Sequence, residues 1–207
     1  RCFYDALADF RFLPGGRVLA GAGTGQRVTL FNCFVMGRIE DTLEGISRAL
    51  KEGAVTMQQG GGVGYDFSTL RPAGSAASDP AQTASGPVSF LQVWDAMCAT
   101  LESTSVRRGA MMATLRCDHP DIEAFIEAKR GPTALPHFNL SVLVSDAFMA
   151  AIDRGAQWEL SFTSADGTFT VRRHVDARAL WSRITHAAYE HGEPGVIFID
   201  RVRRENN

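Results

Sequence analysis

Gly60-Gly61-Gly62-Val63-Gly64-Tyr65-Asp66-Phe67 is the stretch on which the fold turns. Before it lies a helical pattern, with Leu43, Ile46 and Leu50 on one face, Asp41 placed to cap it and Glu44 at the capping-box position. After it come a short strand around residues 65–67 and the turn Arg71-Pro72. The glycines therefore close a helix and open a strand. A dinucleotide fingerprint has the reverse order, strand first and helix second, so the run is not read as an NAD site. Two explanations of the glycines stay open: tight packing of helix onto strand, or close approach of the backbone to a ligand.

Working outward, the apolar run 28–35 reads as a strand with Cys33 near its end, where strands of α/β folds commonly face a ligand crevice. Residues 73–86 are mostly Ala, Ser, Gly, Pro and Thr and read as a loop. A helix over 87–103, a polar basic turn over 104–109, a strand over 110–115 and a helix from His119-Pro120-Asp121 to 129 follow. Then come a strand over 138–144, a helix over 146–153 and a hairpin pairing 158–162 with 169–172 around Asp166-Gly167. A helix over 177–191 and a buried strand over 195–200 complete the pattern. Strands that alternate with helices in this way predict a parallel sheet of about five strands with crossover helices, an α/β fold.

With 207 residues, 45% apolar and 21% charged, the chain has the composition of one large soluble globular domain. No run approaches the ~18–20 apolar residues of a membrane span, and no signal-peptide pattern opens the chain, so a cytoplasmic protein without a membrane partner is expected. The near balance of 21 basic and 23 acidic residues argues against a nucleic-acid polymer as partner. The start at Arg1 and the polar stop at Arg203-Arg204-Glu205-Asn206-Asn207 suggest a piece of something longer.

The four cysteines, Cys2, Cys33, Cys98 and Cys117, form no Cys-x-x-Cys pair and have no histidine at ligand spacing, so no metal site is expected. Cys98 falls on the apolar face of its helix with Phe90, Trp94, Met97 and Leu101 and reads as core. His119 and His137 read as capping or packing residues. The turn around Arg107 and Arg108 suits either an anionic phosphate or plain solvation.

Several segments together resemble the large catalytic subunit of ribonucleotide reductases, most closely the adenosylcobalamin-dependent class II enzymes. They are Phe12-Leu13-Pro14-Gly15-Gly16-Arg17, Asn32-Cys33-Phe34-Val35 with Asp41-Thr42-Leu43-Glu44-Gly45-Ile46, and residues 60–68 with Leu70-Arg71-Pro72. Arg107-Arg108-Gly109-Ala110-Met111-Met112, His119-Pro120-Asp121-Ile122, Asn139-Leu140-Ser141-Val142 with Ser145-Asp146, and the segment 195–200 continue the series in family order.

The resemblance implies a ten-stranded α/β barrel built of two five-stranded halves, of which residues 1–207 would be the N-terminal half. It implies reduction of a ribonucleoside di- or triphosphate at the ribose 2′ position through a cysteine thiyl radical, with cobalamin as radical source. Cys33 matches one of the two cysteines that supply the electrons, a redox-active thiol; Gly16, Asn32 and Gly62 match the substrate site. Asp41, Thr42 and Arg71 match positions that bind a deoxynucleoside triphosphate effector, and Arg107 and Arg108 lie in the loop that links effector and substrate sites. A homodimer, or association with a C-terminal half, is implied as well.

The family's Asn-Pro-Cys-Gly-Glu motif, with the radical cysteine, does not occur in this sequence. The partner of Cys33 is missing too, so the chain alone is expected to be without reductase activity. A catalytically inactive nucleotide-binding regulatory module, or a half-barrel subunit completed by another chain, is the alternative.

Overall fold

The computed structural model describes residues 2–25, 28–75, 83–102, 109–131 and 134–206. In chain order the first elements are α1 (Cys2–Leu7), α2 (Gly16–Gly21), β1 (Cys33–Val35), α3 (Leu43–Gln58), β2 (Gly62–Asp66), α4 (Gly86–Glu102) and β3 (Met111–Arg116). They are followed by α5 (Ile122–Glu127), β4 (Phe138–Val144), α6 (Asp146–Arg154), β5 (Gln157–Thr163), β6 (Thr170–Asp176), α7 (Ala177–His191), β7 (Gly195–Phe198) and α8 (Ile199–Glu205). Five strands form one parallel sheet in the order β1-β2-β3-β4-β7, and β5 pairs antiparallel with β6 as a separate hairpin. Parallel neighbours cannot be joined by a tight turn, and α3, α4 and α5 supply the crossovers between the first four strands.

The helices cover one face of the sheet. Val63 and Tyr65 of β2 and Met111, Ala113 and Leu115 of β3 are buried, while the residues between them are half-buried or exposed. Tyr65, Phe67, Trp94 and Phe138 meet edge to face with ring centroids 5.4–6.3 Å apart, so β2, the turn after it, α4 and β4 share one aromatic cluster. Every residue of β4 except Asn139 is buried, as befits a strand with neighbours on both sides. Cys33, Gly62, Gly64, Met112 and Asn139 belong to the opposite, less covered face, because Cys33 pairs with Gly62 and Gly64 with Met112, which pairs with Asn139.

The expected helices and strands are found, with four corrections. The strand expected around residues 65–67 lies at Gly62–Asp66, and Phe67 opens the turn after it, where the Asp66 carboxylate accepts the Ser68 N–H. The first strand begins at Cys33, not near residue 28, because Phe31 donates its N–H to Thr29 Oγ1 at 3.1 Å and the chain turns there. Thr42, not Asp41, caps α3: its hydroxyl oxygen accepts the Gly45 N–H at 3.0 Å, while Asp41 is turned to Arg71. The last strand stops at Phe198 and is half-exposed rather than buried, since among the described residues it forms an edge of the sheet. The loop over 73–86 is described only at 73–75 and 83–86, and the basic turn with Arg107 and Arg108 lies outside the described residues.

Candidate functional site

Two groups of side chains form at opposite ends of the parallel strands. At the amino-terminal ends, Cys33 is an exposed free thiol on the first residue of β1, in register with Gly62. Thr29 N–H donates to Gln59 O at 3.1 Å and Gly62 N–H to Asn32 O at 2.8 Å, which lays the approach to β1 along the glycine run. A Cβ on Gly62 would stand 3.3 Å from Ala110 O, 3.4 Å from Asn32 O and 3.7 Å from Cys33 Sγ. Glycine here leaves the sulfur open to the uncovered face of the sheet.

Gly16, exposed at the start of α2, is connected to the same rim through its neighbour. Arg17 donates from Nη2 to Gly60 O, and its guanidinium lies against Gly60, which has φ +86°. Gly61 in turn faces the Phe34 ring and Thr56, with no room for a side chain. Gly60 and Gly61 thus serve tight packing, and Gly62 a close approach beside the thiol. Of the four cysteines Cys98 and Cys117 are buried, and burial pushes the Cys117 thiol up to about 11, so it stays protonated near neutrality.

At the carboxyl ends, a cleft of about 870 Å³ is lined by residues that include Arg38, Asp41, Thr42, Arg71, Arg116 and Asp166. Such ends are where open α/β sheets commonly hold ligands. Arg71 is fixed there on two edges: its Nε–H donates to Asp41 Oδ2 at 2.7 Å and its backbone N–H to Asp41 Oδ1 at 3.1 Å. Arg116 pairs with Asp118 at 2.8 Å. Hydrogen bonds from the Ser164 hydroxyl and from Thr168 hold Asp166 down to about 2.

Asp41, Thr42 and Arg71 are therefore brought together, as are Cys33, Asn32 and Gly62, but the two groups are not. They are separated by the length of β2, five residues or roughly 16 Å. Cys33 opens its strand rather than ending it, against the crevice expected at a strand's end. The sequence reading also missed what holds Arg71 from outside. His119 is fully buried, and its imidazole meets Leu70 O at 2.9 Å. The His119-Pro120-Asp121 order at a helix start carried that signal only as packing.

Among the described residues no helix is long and apolar enough to cross a membrane, and no group of three or more His, Cys, Asp or Glu side chains could hold a metal ion.

The chain is 42% identical over 205 residues to the vitamin B12-dependent ribonucleoside-diphosphate reductase of Mycobacterium tuberculosis (strain CDC 1551 / Oshkosh), covering 99% of this chain and 29% of that relative. It is 35% identical to the protein of the same name from Thermoplasma acidophilum, covering 99% of this chain and 26% of the relative. Identity to the ribonucleoside-diphosphate reductase subunit alpha of Helicobacter pylori (strain J99) is 27%, over 99% of this chain and 29% of the relative. The chain thus spans less than a third of the length of these curated relatives. The family model "Ribonucleotide reductase, barrel domain" matches residues 31–207, which take in all five parallel strands. On that match the chain belongs to the ribonucleotide reductase barrel-domain family.

Proposed function

We propose that residues 1–207 are the first part of the catalytic barrel of a cobalamin-dependent ribonucleotide reductase, a cytoplasmic enzyme. In the net reaction, the ribose 2′-hydroxyl leaves as water, hydrogen takes its place, and two thiols become one disulfide, which balances the two electrons. Cys33 is one of those thiols in this reading. Asn32, Gly62 and Gly16 surround the ribonucleoside di- or triphosphate. Asp41, Thr42 and Arg71, with Arg107 and Arg108, serve a deoxynucleoside triphosphate effector.

The observation that carries this reading is the Cys33–Gly62 rung, an exposed thiol beside a glycine on the face of the sheet that the helices leave uncovered. That face and the two strand edges suit a second half-barrel or a second copy of the chain. Cobalamin would supply the radical by cobalt–carbon homolysis. Cys33 has no Asn-Pro-Cys-Gly-Glu cysteine to face within these 207 residues. The chain alone is accordingly without turnover.

Differential alkylation tests the substrate role. Ribonucleoside diphosphate or triphosphate should slow iodoacetamide labelling of Cys33 while leaving exposed Cys2 unchanged. Equal labelling with and without nucleotide removes Cys33 from the substrate site. A second reading, a nucleotide-binding regulatory module, is favoured by the Asp41–Arg71 cleft, which is assembled here without the radical motif. Binding of deoxynucleoside triphosphate with no ribonucleotide effect at Cys33 would select it.

A further inference from the structure

The segment Leu70-Arg71-Pro72-Ala73 carries Arg71 into the cleft, and its polar main-chain groups are taken one by one. Leu70 O meets His119 Nε2 at 2.9 Å, Arg71 N–H donates to Asp41 Oδ1 at 3.1 Å, and Ala73 N–H donates to Asp121 Oδ2 at 2.8 Å. Pro72 has no N–H, and its carbonyl accepts from Ser75 N–H at 3.2 Å. His119 is itself fixed, because Asp121 N–H donates to its Nδ1 at 3.0 Å. A carbonyl only accepts and a main-chain N–H only donates, so the ring is neutral with its hydrogen on Nε2. Gly86, which opens α4 at φ +77°, lies so close to the Asp121 carboxylate that no side chain fits between them.

We propose that His119 and Asp121 are positioning residues that hold Arg71 in place for a phosphate-bearing ligand of the cleft, and that the hold fails when the His119 ring gains a second proton. The ligand half of this proposal rests on the effector reading given above. A proton on Nδ1 would face the Asp121 N–H, donor against donor, and break the link that orients the ring. Burial is the main influence and lowers the His119 pKa from its ordinary value. The hydrogen bond to Leu70 O and the Asp121 and Asp118 carboxylates oppose that shift, and Arg116 adds to it. Across the turn, Arg173 of β6 donates to Pro120 O at 2.7 Å and the Phe162 ring of β5 packs edge-on to the imidazole. The neutral ring therefore persists through and below the ordinary histidine value of about 6.5, and the hold is lost as pH falls through the depressed value.

Amide hydrogen exchange on the full chain reads the hold directly, and calorimetry with inorganic triphosphate and each of the four deoxynucleoside triphosphates reads its use. Asp121→Ala should cost about tenfold in protection at Ala73 and about tenfold in affinity; Asp121→Asn, whose amide oxygen still accepts, should restore both. In the wild type, protection at Arg71 and Ala73, corrected for intrinsic exchange, should hold at and above the ordinary histidine value of about 6.5 and fall as the pH is lowered below it, and in a folded His119→Gln variant it should not titrate. If His119→Gln fails to fold, the Asp121 pair and the wild-type pH series decide alone. Unchanged protection in Asp121→Ala, or protection independent of pH, overturns the hold. Wild-type chain that binds no triphosphate overturns the ligand half and the effector reading together, while the exchange data still judge the hold.

Discussion

Tyr65 donates its hydroxyl hydrogen to the carbonyl oxygen of Ala49 at 2.7 Å, passing over Gly53 so closely that a Cβ there would lie 2.6 Å from the Tyr65 oxygen. A mid-helix glycine costs about 0.5–1 kcal/mol relative to alanine, yet here it admits the tyrosine that ties β2 to α3. Gly53→Ala is expected to destabilise the fold by about 1–3 kcal/mol through overpacking, despite alanine's better helix propensity. Chemical denaturation checks this, and a neutral or stabilised variant would show that the tyrosine moves aside freely.

The same burial pushes the Tyr65 phenol up to about 12 from 10.0. In the unfolded chain the phenol ionises near 10, so unfolding releases a proton and stability falls as pH rises from about 10 to 12. An ultraviolet titration should show one tyrosine resisting ionisation until the upper end of that range. Tyr65→Phe should remove this step.

Thiol reactivity should divide the cysteines in half. Cys2 and Cys33 are exposed, whereas Cys98 and Cys117 are buried. A chromogenic disulfide reagent should titrate two thiols rapidly in the native chain and all four in denaturant. Rapid modification of Cys117 in the native state would contradict both its burial and its raised pKa.

Thr42→Ala removes the cap of α3 and should cost about 1 kcal/mol. Asp41→Ala should cost more, about 1.5–3 kcal/mol, because it takes away the carboxylate that accepts both the Arg71 Nε–H and the Arg71 main-chain N–H. If Asp41 were the helix cap, the order would be reversed. Equilibrium unfolding of both variants compares the two roles.

Glu193, two residues before β7, accepts the Leu140 N–H at 2.7 Å and pairs with Lys129 Nζ at 3.0 Å; the same ammonium also donates to Phe138 O. The carboxylate thus joins β4, the segment after α5 and the approach to β7. Glu193→Ala is expected to destabilise by about 2–3 kcal/mol and to raise exchange at the Leu140 amide first. Protection at Leu140 equal to that of the parent chain would show that water substitutes for the carboxylate.

Where local chemistry decides, the elements could be read from the residues. α7 runs from Ala177 to His191 as its apolar stripe indicates, because Asp176 accepts the Ala179 N–H at 2.7 Å and Gly192 ends it at φ +75°. β4 matches its apolar run at both ends. Misreadings arose where a distant partner decides. Asp41 and Thr42 are both good helix caps, and only Arg71, 30 residues away, draws Asp41 out of that role. The apolar run before Cys33 looks extended until Thr29 turns it. The segment at 195 is apolar enough for a central strand, yet its place at the sheet's edge is a property of topology. Likewise Cys33 and Gly62 were legible as a pair only through resemblance, while the grip of His119 on Leu70 spans 49 residues and leaves no periodic trace.

The order of strands across the sheet, β1-β2-β3-β4-β7, is also the order in which they occur along the chain. No strand has to be slipped between two neighbours that have already paired. Each new strand can dock on the growing edge as it is synthesised, with its crossover helix packing behind it. During that growth the last strand to join always presents a free ladder of amides and carbonyls, so assembly leaves an open template at each step until another segment covers it.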